Sequence, residues 1–257
     1  MILSRRVALN GVQLDEIHER IVIRSIDQGV ANESLNATER MGGYGQRLTR
    51  QHYNTLDVAV TYAIDVPKTD MALRRQIMDL VNTWALGKGW LTVNWMEDRQ
   101  FYVDKVIIPN GGDPWNWTDE FTITFRAYNV PFWQDVNESS VKSGTASSAR
   151  IWLTANGNMK TPLNVSFRNM SGMTINTFSV STGGNTISLS SLGLGGSDTL
   201  TISHGTDGLL RIKIGNTSVY SKYTGADDLM LNPGSNAVDF TAARAGVLTA
   251  SCVGRWI

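Results

Sequence analysis

The 257-residue chain is poor in the side chains on which most chemistry depends, with one cysteine and three histidines. A lone Cys252 excludes an internal disulfide framework and any multi-cysteine metal site, and reads as a small buried thiol on the final strand. His18, His52 and His204 stand far apart, and none has a partner at metal-ligand spacing. There is no Gly-x-Ser-x-Gly elbow. The cluster Gly42-Gly43-Tyr44-Gly45 lacks the Gly-Lys-Ser/Thr ending of a phosphate-binding loop and opens no helix. Residues distant in sequence can still meet in space, so these absences weaken an enzymatic reading without removing it. No catalytic residue, metal ligand or cofactor is assigned.

Charge of one sign is lacking as well. Lys plus Arg number 23 and Asp plus Glu 23. Up to Gln134 the counts are 14 basic against 16 acidic, and beyond it 9 against 7. Neither part offers the positive field that phosphate backbones or anionic membranes require, so neither nucleic acid nor membrane is expected as a partner. No segment approaches the ~20 apolar residues of a membrane span. The start, Met1-Ile2-Leu3-Ser4-Arg5-Arg6, has no signal-peptide core, which points to a soluble chain made in the cytosol. Asn-x-Ser/Thr triplets such as Asn116-Trp117-Thr118 and Asn169-Met170-Ser171 then read as chance matches in an Asn/Ser/Thr-rich sequence.

What the chain does contain is centred on residues 56–95. Leu56, Val58, Val60, Tyr62, Ile64 and Val66 alternate with polar or small residues, the period of a strand with one buried face. After Pro67, Thr69 or Asp70 can cap a helix in which Leu73, Ile77, Leu80, Val81 and Trp84 share an arc of about 100°. Gly87 suits the position after the helix, and Leu91, Val93 and Trp95 resume the two-residue period. This strand, helix, strand unit carries the one clear helix of the chain.

Around it, Asn10-Gly11 predicts a tight opening hairpin, and Ile21 to Ile26 a further strand. From Asp27 to Asn54 the pattern is lost, as in a functional loop or an interaction arm. The run Glu97-Asp98-Arg99-Gln100 reads as a hairpin turn before Phe101 to Ile108; Glu97 and Asp98 would point to opposite faces and so form no acid and base pair. After the turn-rich segment 109–114, Phe121, Ile123 and Phe125 alternate again. Trp115 and Trp117 could cover the edge of their own core, anchor a protein contact or stack on a sugar. Residues 136–150 suit a linker or an extended edge strand. Beyond Ile151, short β-prone runs between Gly, Asn and Ser clusters predict a β-sandwich without an amphipathic helix, with Ala237 to Phe240 and Leu248 to Val253 as two late strands. Asp227-Asp228 could touch a cation or form a polar turn.

Several motifs in order complete the reading: Gly45-Gln46-Arg47-Leu48, Thr61-Tyr62-Ala63-Ile64, Asp70-Met71-Ala72-Leu73-Arg74-Arg75, Arg99-Gln100-Phe101-Tyr102-Val103, Phe121-Thr122-Ile123-Thr124-Phe125-Arg126-Ala127-Tyr128 with Pro131-Phe132-Trp133, and Leu231-Asn232-Pro233-Gly234-Ser235-Asn236-Ala237-Val238. Together they resemble the distal tail protein (Dit) family of siphophages over nearly the whole chain. The resemblance implies a mainly β protein with an N-terminal antiparallel, split-barrel-like domain (1–134) carrying one inserted helix. A galectin-like C-terminal β-sandwich (135–257) follows, whose last strand is expected to dock back on the first domain.

It further implies a non-enzymatic virion protein at the tail tip, a homo-hexameric ring joining the tail tube protein to the tail-tip hub (lysin or fibre) protein of a long non-contractile tail. Receptor-binding proteins or a host glycan are further implied partners. Tyr44, Gln46, Arg47, Trp115 and Trp117 are the expected subunit or partner contacts. Two other readings compete: a monomeric carbohydrate-binding module, for which the second part offers His204, Arg211 and Asn216 but no Trp nearby, and a cell-wall hydrolase, which would need paired carboxylates or a nucleophile with its base.

Overall fold

A computed structural model describes residues 5–31, 33–39, 46–108 and 120–257. The chain is mainly β and divides into two compact units, Met1–Trp133 and Gln134–Ile257.

In the first unit Val7–Leu9 (β1) and Val12–Gln13 (β2) form the opening hairpin, with Asn10 and Gly11 both at positive φ (52° and 81°), the geometry that Asn-Gly favours between two strands. The Asn10 side chain accepts a hydrogen bond from Trp90 N at 3.0 Å, tying the turn to the next strand of its sheet. A four-residue helix, Leu14–Ile17 (α1), follows, a second helix that the sequence pattern did not reveal. Then come Ile21–Gln28 (β3), Glu33–Glu39 (β4), Gln46–Tyr53 (β5) and Leu56–Ile64 (β6). Met71–Ala85 (α2) leads into Gly89–Val93 (β7), Met96–Val103 (β8), Lys105–Ile107 (β9) and Glu120–Ala127 (β10). β2, β1, β7 and β8 lie side by side in one sheet; β3, β6, β10 and β9 form another; among the described residues β4 and β5 pair only with each other.

β6 is the central strand. Leu56, Val58, Val60, Tyr62, Ile64 and Val66 are all buried, as their alternation predicts. Ala127, Phe125, Ile123 and Phe121 of β10 sit opposite the first four of them, on the same buried face. On the other face Arg126 grips Asp57 with two hydrogen bonds, 2.7 and 2.6 Å long, and the Thr61 and Thr122 hydroxyls meet at 2.9 Å. Burial pushes the Tyr62 phenol up to about 12.

The helix lies on this unit with its buried face turned slightly from the one expected. Asp70 is the cap, its carboxylate accepting from Leu73 N at 3.1 Å. Ile77, Val81 and Ala85 are wholly buried and Trp84 packs edge-on to Phe125 at 5.8 Å, but Leu80 is exposed and Arg74 is buried in its place. The Arg74 stem covers apolar surface while its guanidinium donates to Val66 O at 2.7 Å, closing the turn that precedes the helix. The turn expected at Glu97–Gln100 lies earlier, at Asn94–Trp95. The polar run belongs to β8, and Trp95 is exposed at the turn rather than buried in a strand.

Trp133–Asp135 (β11) spans the unit boundary. The second unit is built on Ser139–Ala155 (β12), followed by Thr161–Pro162 (β13), Asn164–Asn169 (β14), Phe178–Thr182 (β15), Asn185–Leu189 (β16), Thr199–His204 (β17) and Leu210–Ile214 (β18). Thr217–Ser218 (β19), Tyr223–Gly225 (β20), Met230–Leu231 (β21), Gly234–Cys252 (β22) and Arg255–Trp256 (β23) complete it. β12 and β22 pair antiparallel along nearly their full lengths, with register shifts between Lys142 and Thr145 and between Ala146 and Ser148. The other edge of β22 pairs first with β15, at residues 238–242, and then with β14, at residues 246–251. β17, β18 and β19 continue beyond β14, and β16 and β20 beyond β15.

One sheet therefore curls over a common core, in which Phe167 of β14 meets Phe178 of β15 at 4.9 Å and Phe240 of β22 at 6.0 Å. The two late strands expected from the sequence are one strand, and residues 139–150 extend it as its partner. Asn169 is fully buried, its amide donating to Met173 O, Leu194 O and Gly195 O and its oxygen accepting from Ser171. That amide is spent on structure. Cys252 is also fully buried, on β22, and burial with the carboxylates of Glu138 and Asp135 pushes its thiol up to about 11.

Three outcomes follow. Ile77→Ala should destabilise the first unit by about 2–5 kcal/mol, read from urea unfolding. Asn169→Ala removes the hydrogen bonds that tie three loop carbonyls and Ser171 to β14 and should cost the second unit about 1–3 kcal/mol by the same assay. The protonated, enclosed Cys252 should resist a thiol reagent at pH 8 until the chain unfolds; rapid native labelling would contradict the packing described.

Candidate interaction surfaces

The β4–β5 ribbon arises where hydrophobic alternation stops. Its root is fixed by Gly29, whose amide donates to Asp57 O at 2.9 Å. A Cβ on Gly29 would lie 2.2 Å from that backbone oxygen, so only glycine lets the chain leave β3 so close to β6. Ala31 is buried beyond it, and Tyr53 at the other root packs edge-on to Phe132 at 5.2 Å. Between the roots, Glu33 faces Tyr53 and Glu39 faces Gln46, with a register shift between Asn36 and Ala37.

A two-stranded ribbon is at best marginally stable in water by itself. This one pairs with no other strand among the described residues. Val30 at its root is 63% exposed and Leu35 on β4 is 56% exposed, far more than a strand facing its own core would leave. Trp95 stands 46% exposed at the β7–β8 turn, its indole N–H reaching Gln28 Oε1 at 3.4 Å just before the ribbon begins. The sequence reading placed Trp95 inside a strand and so missed it as a surface residue.

Of the expected contact residues, Gln46 and Arg47 begin β5, opposite Glu39 and Thr38, at the end of the ribbon away from its roots. Tyr44, Trp115 and Trp117 lie outside the described residues.

The second unit has a different kind of surface. β17 and β18 pair so that Ser203 faces Arg211 and His204 faces Leu210. The loop between them carries Asp207, which receives Arg211 Nη2 at 2.8 Å and the Leu209 amide at 3.1 Å. Tyr220, in a single 3-10 turn, and Asp227 and Asp228 complete a cleft of about 620 Å³. The fold thus brings His204 and Arg211 together. Asn216 sits in the β18–β19 turn and is not among the lining residues. The aromatic residue at the cleft is Tyr220, close to Tyr223 at 5.2 Å between rings. His204 is held below its usual value by burial and by Arg255, with Asp228 opposing, while burial pushes Arg255 down to about 10. Among the described residues no three His, Cys, Asp or Glu side chains gather as metal ligands, and no helix is long and apolar enough to cross a membrane.

No protein-family model matches the chain, and no curated protein matches it significantly. Solved structures do. The crystal structure of the Dit protein of phage SPP1, described as a paradigm of the hub adsorption apparatus in phages infecting Gram-positive bacteria, superposes with a TM-score of 0.69 at 13% identity over 98% of this chain and 99% of its own. This is the fold of a Dit protein. A chain of the phage P2 baseplate in its activated conformation with Ca is a more distant match, with a TM-score of 0.50 at 8% identity over 97% of this chain and 98% of that one. Both alignments run through both units, so the Dit likeness covers the ribbon-bearing unit and the curled sheet alike.

The close approach at Gly29 gives a direct test of how the ribbon is anchored. Gly29→Ala should raise amide exchange across β4 and β5 by about tenfold, through loss of roughly 1.4 kcal/mol of local stability, while leaving β6 protected. Unchanged exchange in the ribbon would show that its root is anchored elsewhere.

Proposed function

We propose that the chain is a structural, non-enzymatic distal tail protein. In this reading six copies form a ring that joins the tail tube to the tail-tip hub protein of a long non-contractile phage tail, and the ring carries the proteins that adsorb to the host. The observation that carries the reading is the end-to-end likeness to SPP1 Dit, a hub protein, with neither chain leaving a domain unmatched. The P2 baseplate match points to the same part of a virion.

The physical features support it. A closed ring of identical subunits needs two different complementary patches on each copy. The β4–β5 ribbon, held at its root and paired with no further strand among the described residues, is an element that would gain stability by lying on a neighbour. Gln46 and Arg47 at its far end, with Tyr44, Trp115 and Trp117, are the residues we assign to contacts between copies or with the tube and hub. Both tryptophans suit such contacts, since indoles combine large apolar area with a donor.

Multi-angle light scattering of the purified chain should return about six times the 28.3 kDa chain mass. A one-chain mass over the whole concentration range, with no association to tube or hub protein, would refute the reading. Alanine at Tyr44, Arg47 or Trp115 should weaken assembly by about tenfold or more in concentration, the behaviour of interface anchors. Variants that assemble like the parent would remove those positions from the interface.

A further inference from the structure

None of the residues assigned above to assembly contacts lines the cleft of the second unit, and its chemistry points elsewhere. We propose that it is a saccharide-binding site, taking a neutral pyranose across Tyr220 and holding its hydroxyls between Arg211, which Asp207 fixes, and Asp227–Asp228. The proposal stands independently of the ring.

Three observations carry it. The first is size: about 620 Å³ falls within the range of small-ligand clefts and suits one or two sugar rings. The second is the lining. A sugar presents an apolar C–H face and a rim of hydroxyls that each donate and accept. Tyr220 leaves 45% of its surface exposed and Leu209 leaves 64%, so an aromatic face and an aliphatic rim are open to the C–H side. Asp227 and Asp228 accept hydrogen bonds, Arg211 and Lys213 donate them, and the mixture of signs favours a neutral polyol over a strongly charged ligand.

The third observation is preorganisation. Asp207 fixes the Arg211 guanidinium at 2.8 Å, with 46% of the arginine side chain and 36% of the aspartate still exposed, so a rigid donor and acceptor pair faces solvent. Gly205 makes room for it, because a Cβ there would lie 2.0 Å from Arg211 Nη1. At the cleft wall, His204 has both ring nitrogens out of solvent contact and without a hydrogen-bond partner among the described residues. Burial disfavours the charged imidazolium, so His204 adds an uncharged wall rather than a cation to the cleft.

The test uses the intact chain with glucose, galactose, N-acetylglucosamine and their β-linked di- and trisaccharides as probes, read by saturation-transfer and amide-shift NMR. At least one probe should bind with a dissociation constant below about 10 mM, the range of a single-ring site, with shifts confined to residues 204–213, 218–220 and 227–228. Tyr220→Ala and Arg211→Ala should each weaken that binding about tenfold or more. Gly205→Ala, which displaces the guanidinium by touching only side-chain ends, should weaken it in a folded protein. Absence of binding by every probe at about 20 mM, or binding that survives Tyr220→Ala and Arg211→Ala unchanged, would overturn the proposal. Light scattering of the same variants reads assembly separately, so a failed sugar site leaves the ring reading untouched.

Discussion

The pairing of β6 with β10 is the constraint on which the first unit depends. Leu56, Val58, Val60 and Tyr62 lie against Ala127, Phe125, Ile123 and Phe121 in a single register. A slip of one residue would turn every one of those side chains to solvent, since successive residues on a strand point to opposite faces. The Arg126–Asp57 bridge on the other face specifies the same register. With this face fixed, the helix has a surface to cover, and Ile77, Val81 and Ala85 are buried upon it. Gly29 then releases the chain from beside β6 into the ribbon.

The second unit meets a different constraint with a different device. A long β22 paired with β12 along one edge and with β15 and then β14 along the other lets one hydrogen-bonded sheet supply both layers around a core. The residues exposed where β22 changes partner, Ala243 and Arg244, interrupt its alternation. Asn169 fastens the 171–173 and 194–195 segments to the layer that bears the cleft, so a buried polar group does the work of several apolar contacts at that edge.

These features explain what could be read from the sequence. Wherever one face of a strand is buried and the other wet, as in β6 and β10, the two-residue period is visible. The Asn10-Gly11 turn was legible, and the helix cap was narrowed to Thr69 or Asp70, because their chemistry is local. The ribbon was not, because its sequence shows no two-residue alternation, and pairing between β4 and β5 alone does not require one. Glu97–Gln100 resembled a turn because the first part of β8 is largely solvated, so its polar composition mimicked a loop. Arg74 upset the expected helix stripe because a long stem can line a core while its charged end finds a carbonyl. The cleft is half visible in the sequence: His204 and Arg211 stand out as polar candidates, but only strand pairing places them near Asp207 and Tyr220.

A first unit whose ribbon pairs with no further strand among the described residues, and a second unit with an open cleft, are the features on which the proposed assembly and the proposed recognition rest. Negative-stain electron microscopy of the purified chain tests the assembly most directly. The account predicts ring-shaped particles with six-fold symmetry around a central opening. A field of single, one-chain particles at tens of micromolar protein, unchanged by adding tube and hub proteins, would contradict it.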